Sequence, residues 1–228
     1  MKVIEKISQN NIDINKPSTT IVFLGDSVTQ GSFYDKPDYE AVYHNRIKKK
    51  LNFLFPRAVV NIINAGIGGT TAIVGAERLE RDVISRNPDL CVVCFGLNDM
   101  GEGEHAVKAY TDALSEIFEK LTNYGCEIIF MTPNMMATRI SDSIPEIWRH
   151  RADDKIHVMT SGLMDKFMNA AVETAKKHNV PVCDCYSKWQ KLAKMGVDTT
   201  ALLANGLNHP VKEMHELFAN SLLEMMFE

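Results

Sequence analysis

Several features that assign a function at a glance are missing from this chain of 228 residues. There is no basic excess: 25 Lys and Arg stand against 29 Asp and Glu, a net charge of −4 with neutral His. The electrostatic footprint of a nucleic-acid groove is therefore lacking. No apolar run approaches the roughly 20 residues that cross a bilayer. The opening stretch, MKVIEKISQNNIDINKP, is polar where a signal peptide has its apolar middle, so a soluble cytoplasmic protein is expected. Disorder is excluded by a composition of 45% hydrophobic and 24% charged residues, enough to build a core. The cysteines, Cys91, Cys94, Cys126, Cys183 and Cys185, are odd in number and sit in or beside apolar runs, as buried reduced thiols do. Cys91 and Cys94 point to opposite faces of a strand, and Cys183 and Cys185 have no second ligand pair at zinc spacing, so no metal is expected. Repeats and low-complexity linkers are absent too. One domain over 1–228 is expected, with 1–17 as an extension and 133–159 as an insertion or lid-like region.

What is present is alternation. Segments 20–25, 58–64, 89–95, 126–132 and, more weakly, 180–184 are short apolar runs of the kind that fill a buried parallel sheet. Between them, 39–51, 71–86, 104–124, 160–178 and 211–227 carry apolar residues at three- and four-residue steps. Five strand–helix alternations predict a doubly wound α/β sandwich with functional groups at the carboxyl ends of the strands.

Three of those ends carry unusual polar blocks. Gly25-Asp26-Ser27 puts a hydroxyl where a strand hands over to a helix, beside unpaired N–H groups. Gly66, Gly68 and Gly69 follow the second strand and let backbone N–H groups approach a bound atom. Asn98 follows the third and offers an amide donor. Singly, each reads as a cap, a turn or a loop amide. Together, the N–H groups of Ser27 and Gly69 and the amide of Asn98 suit one oxyanion, with Ser27 as nucleophile. Asp26 and Asp99 read as structural. Of the seven histidines, His209 alone sits in a turn-rich loop, Ala204 to Pro210, that opens into the last helix and can return to the rim near Ser27.

The blocks GDSVTQG (25–31), NAGIGGT (64–70), GLND (96–99) and NHP (208–210), in that order, resemble the SGNH-hydrolase superfamily, the GDSL esterases and lipases. The resemblance implies a flavodoxin-like three-layer α/β/α sandwich with a five-stranded parallel sheet. It implies Ser27 as nucleophile, His209 as base, and Ser27, Gly69 and Asn98 as oxyanion donors, with no cofactor. The absence of a GxSxG elbow argues against the α/β-hydrolase arrangement. One departure stands out. The family's acid lies three or four residues before the histidine, and those places hold Gly206 and Asn205. An acid holds the imidazole tautomer and stabilises the imidazolium, and Asp→Asn there costs a serine protease about 10⁴ in kcat. Three readings remain: a backbone carbonyl of the last loop, aided by Asn205, orients His209; a distant carboxylate such as Asp198 replaces the acid; or the scaffold only binds.

The expected activity is a serine esterase acting through an acyl-enzyme. Tyr34, Asp35, Arg139 and Trp148 are candidates to line the pocket, a mixture that suits deacetylation of carbohydrate esters better than long acyl chains. Lysophospholipid or thioester hydrolysis and a binding module are the alternatives. The expected partner is a small-molecule or carbohydrate ester, with no nucleic acid and no membrane span; oligomeric state is left open, a homo-oligomer included.

Overall fold

Five parallel strands form one sheet in a computed structural model that describes residues 1–34 and 36–228. They are β1 (Thr19–Gly25), β2 (Val60–Gly66), β3 (Leu90–Cys94), β4 (Glu127–Met131) and β5 (Val182–Cys183), in the order β2-β1-β3-β4-β5. β3 is buried along its whole length, whereas β2, at the sheet edge, is only partly covered. Gly25 pairs with Gly66 on one side and Cys94 on the other, so the carboxyl ends of β1, β2 and β3 are level. The chain leaves β1 toward β2 and then returns to β3 on the opposite side. That reversal is where open α/β sheets hold their ligands.

The helices are α1 (Lys2–Ile12), α2 (Ser27–Gln30), α3 (Tyr43–Leu54), α4 (Ala72–Glu77), α5 (Leu79–Asp82), α6 (Val107–Tyr124), α7 (Ala152–Thr160), α8 (Leu163–Lys177), α9 (Cys185–Lys194) and α10 (His215–Phe227). They form two packed groups, α1, α3, α9 and α10 on one side and α4, α6, α7 and α8 on the other, which makes the expected three-layer sandwich. No helix among the described residues is long and apolar enough to cross a membrane.

Four segments differ from the expectation, each for a local reason. Residues 2–12 are a helix, with Val3 and Ile7 in the core. Its first N–H groups, of Lys2 and Val3, donate to the Glu127 carboxylate at 3.1 and 2.7 Å, a favourable charge for a helix start. The helix predicted from residue 39 begins at Tyr43, because Asp38 Oδ1 accepts from the N–H groups of Glu40 and Ala41 and holds them in a turn. The stretch 71–86 is broken at Arg78 into α4, α5 and a short 3₁₀ turn. The segment 133–159 ends in a helical run, Glu146–Arg151 and then α7, that turns back toward the carboxyl end of the sheet.

Candidate active site

Ser27 opens α2 directly on the strand ends. Asp26, almost fully buried, accepts from the N–H of Val28 at 2.9 Å and caps this four-residue helix, which closes at Gly31. Burial pushes the Asp26 carboxyl up to about 7. The close seat of α2 depends on Gly66: a Cβ there would lie 2.2 Å from the backbone nitrogen of Gln30. Beneath it, the buried Arg78 guanidinium donates to the carbonyls of Ala65 (2.6 Å) and Gly25 (2.9 Å) and pairs with Asp82. That task explains the helix break, since the side chain points at the strand ends and not along a helix face.

His209 arrives from the far end of the chain. Its Nε2 is 3.0 Å from Ser27 Oγ, and its Nδ1 is 2.9 Å from the backbone carbonyl of Phe33. A carbonyl oxygen only accepts, so Nδ1 carries the proton and Nε2 presents its lone pair to the serine hydroxyl. Burial, and secondarily the charge of Lys155, hold the imidazole below its usual pKa, while the Phe33 carbonyl acts the other way. The ring is therefore neutral at neutral pH, the state a base requires.

The carbonyl that meets the imidazole belongs to the chain following α2 and not, as expected, to the last loop. Asn205, expected as its aid, makes no hydrogen bond to the ring. Its Oδ1 accepts from the N–H groups of Leu207, Asn208 and His209, at 3.0–3.1 Å, and its Nδ2 donates to Asn208 Oδ1. It shapes the loop. Asp198 is engaged elsewhere, paired with Arg139 and capping the turn at Thr200. Gly206 has φ +64, and a Cβ there would lie 2.8 Å from Ile144 Cγ1 and Ser143 Oγ. An aspartate at that place has to displace those side chains.

The N–H groups of Ser27 and Gly69 have no hydrogen-bond partner among the described residues, in contrast to Gly68, whose N–H donates to Gln30 Oε1 at 2.9 Å. Asn98 spends one amide hydrogen on the Thr70 carbonyl, 2.9 Å away, and keeps the other. Ser27, Gly69, Asn98 and His209 all line one cavity of about 380 Å³. Asp99 accepts from the N–H of Ala72 at 2.8 Å, tying the third block to the start of α4, and burial raises its carboxyl to about 6. Tyr34 and Trp148 are in the cavity wall; Arg139 is not, and Asp35 lies outside the described residues. Arg151 and Lys155, which the sequence does not single out, are also in the wall. The five cysteines are buried and free, and among the described residues no cluster of three or more His, Cys, Asp or Glu could hold a metal.

A family model described as GDSL-like lipase/acylhydrolase matches residues 23–217. An uncharacterised lipoprotein, YqeF, of Bacillus subtilis is 32% identical over 119 residues, 49% of this chain and 47% of that protein. The chain thus spans about half the length of that relative. An arylesterase of Vibrio mimicus is 27% identical over 148 residues, 61% of this chain and 68% of that one. Among solved structures, an acetylxylan esterase from Geobacillus stearothermophilus superposes with a TM-score of 0.69 at 21% identity, covering 92% of this chain and 95% of that one.

Proposed function

Because the chain belongs to the GDSL-like lipase/acylhydrolase family of carboxylic ester hydrolases, we propose that it is a serine esterase that removes small acyl groups, acetyl foremost, from carbohydrate esters. The observation that carries this reading is the 3.0 Å contact between Ser27 Oγ and His209 Nε2 at a cavity whose wall also holds unspent N–H donors. In the proposed reaction Ser27 Oγ attacks the ester carbonyl as His209 Nε2 takes the hydroxyl proton. Negative charge on the carbonyl oxygen is met by the N–H groups of Ser27 and Gly69 and by Asn98 Nδ2. His209 returns the proton to the departing alcohol, leaving an acyl-serine. Water, deprotonated by the same nitrogen, then releases the acid.

The Phe33 carbonyl serves in the acid's place. It cannot donate, so it avoids the wrong tautomer that makes Asp→Asn so costly in a triad, and its dipole faces the imidazolium as it forms. A carbohydrate ester suits a wall that mixes the aromatic rings of Tyr34 and Trp148 with Lys36, Arg151 and Asn208. The acetylxylan esterase of like fold supports the same substrate class.

The test is hydrolysis of p-nitrophenyl acetate and of acetylated xylo-oligosaccharides by the wild type, Ser27→Ala and His209→Ala. Loss of about 10³-fold or more in both variants is expected. Turnover that survives Ser27→Ala overturns the assignment, and release from p-nitrophenyl octanoate faster than from the acetate overturns the small-acyl reading.

A further inference from the structure

Beside the cavity at Ser27 lies a larger one of about 550 Å³, bordered by Met100, Glu104, Asp154, His157 and Lys166. The two share a pair of walls, Arg151 and Lys155. Each volume falls within the roughly 300–1,000 Å³ usual for small-molecule sites. The shared pair is set apart by its place between the two cavities. Two nearby cations are matched, Lys166 with Glu104 and Arg149 with Glu146. Lys155, half-buried, has only the Leu97 carbonyl, at 3.3 Å. Arg151 lies over the Trp148 ring, 5.6 Å from its centre, a stacking that fixes the plane of the guanidinium. Neither makes an ion pair with a carboxylate among the described residues. The carboxylates of Asp26 and Asp154 act on the Lys155 ammonium only from beyond ion-pair distance, so a half-buried ammonium is left without a direct charged partner, and a bound anion is the complement that supplies one.

We propose that the two cavities form one substrate groove, in which Arg151 and Lys155 bind an anionic group, carboxylate or phosphate, on the alcohol half of the ester. The inference rests on the esterase reading. The small acyl group occupies the end at Ser27 and the alcohol half passes over the Arg151–Lys155 ridge. The preferred substrate is then an acylated acidic sugar rather than a neutral one. Asp154 borders the far cavity and Glu104 is spent on Lys166, so the anion is placed at the ridge and not deeper.

The experiment compares kcat/KM for O-acetylglucuronic acid, O-acetylglucose 6-phosphate and O-acetylglucose in the wild type, Lys155→Met and Arg151→Gln. A wild-type preference of about tenfold or more for a charged substrate is expected, what one charged hydrogen bond contributes, expressed mainly in KM. Either variant should lower the charged-to-neutral ratio toward one. The ratio is read within one preparation, so a variant that folds poorly does not disturb it. The two charged substrates distinguish carboxylate from phosphate. Equal wild-type rates on charged and neutral esters, or a preference untouched in both variants, overturn the proposal. Should no ester be cleaved, the esterase reading fails by itself. Calorimetric titration of wild type and Lys155→Met with glucuronate, glucose 6-phosphate and glucose then decides the anion site: binding of an anion weakened in the variant supports it, and no preference over glucose ends it.

Discussion

His209 is held by a main-chain atom: its Nδ1 lies 2.9 Å from the carbonyl oxygen of Phe33, 176 residues earlier in the chain. The position that family logic reserves for an acid is filled by Asn205, which binds the loop backbone instead. Asn205→Asp is therefore expected to leave kcat on p-nitrophenyl acetate within about threefold of wild type, because the new charge does not meet the ring. A rise above tenfold would show that the missing carboxylate limits turnover and that the carbonyl is an inadequate substitute.

A second expectation concerns stability against pH. Burial moves the Asp26 carboxyl from 3.8 to about 7. The unfolded chain therefore loses this proton first as pH rises. Stability from this group is greatest below pH 4, falls between pH 4 and 7, and stays low above that. At about 1.4 kcal/mol per tenfold, the change is on the order of 4 kcal/mol. Asn at this place keeps an acceptor for Val28 and carries no charge. Asp26→Asn should thus unfold at higher urea concentration than wild type at pH 8, with the difference vanishing near pH 4. A variant less stable than wild type at pH 8 would contradict the buried-acid account.

A third concerns Arg78, whose guanidinium satisfies the carbonyls of Gly25 and Ala65 beneath the α2 turn. Arg78→Met should cost about 3 kcal/mol in urea unfolding, since two buried acceptors lose a charged donor. Activity should fall with it even under conditions where the variant remains folded, because the same carbonyls fix the strand ends that carry Ser27 and Gly66. Full activity in a folded Arg78→Met protein would restrict this residue to stability.

These cases also mark how far the sequence could be read. The strand-end blocks are legible because each strand-to-helix transition, Gly25 to Gly31 for example, is local and its glycines answer to local geometry. The sheet is legible for the same reason, its apolar runs being short and bounded. Phe33 is not, since a carbonyl belongs to every residue and only the path of the chain makes this one special. Arg78 sits in a helix-like pattern with ordinary charged neighbours, and nothing in its surroundings says that it turns inward. Lys155 reaches the cavity through a segment whose contacts, with Leu97 among them, lie 58 residues away. α1 hides similarly, tied down by Glu127 across 125 residues.

Support from a backbone oxygen has a genetic corollary. A single base change is enough to delete a triad carboxylate, but no side-chain replacement removes the oxygen at Phe33; it can only be displaced. What protects the base is therefore the course of the chain there, anchored by a Phe33 ring that rests 4.9 Å from the ring of His215. Lesions that silence the protein while sparing every chemical participant should accumulate at that anchorage.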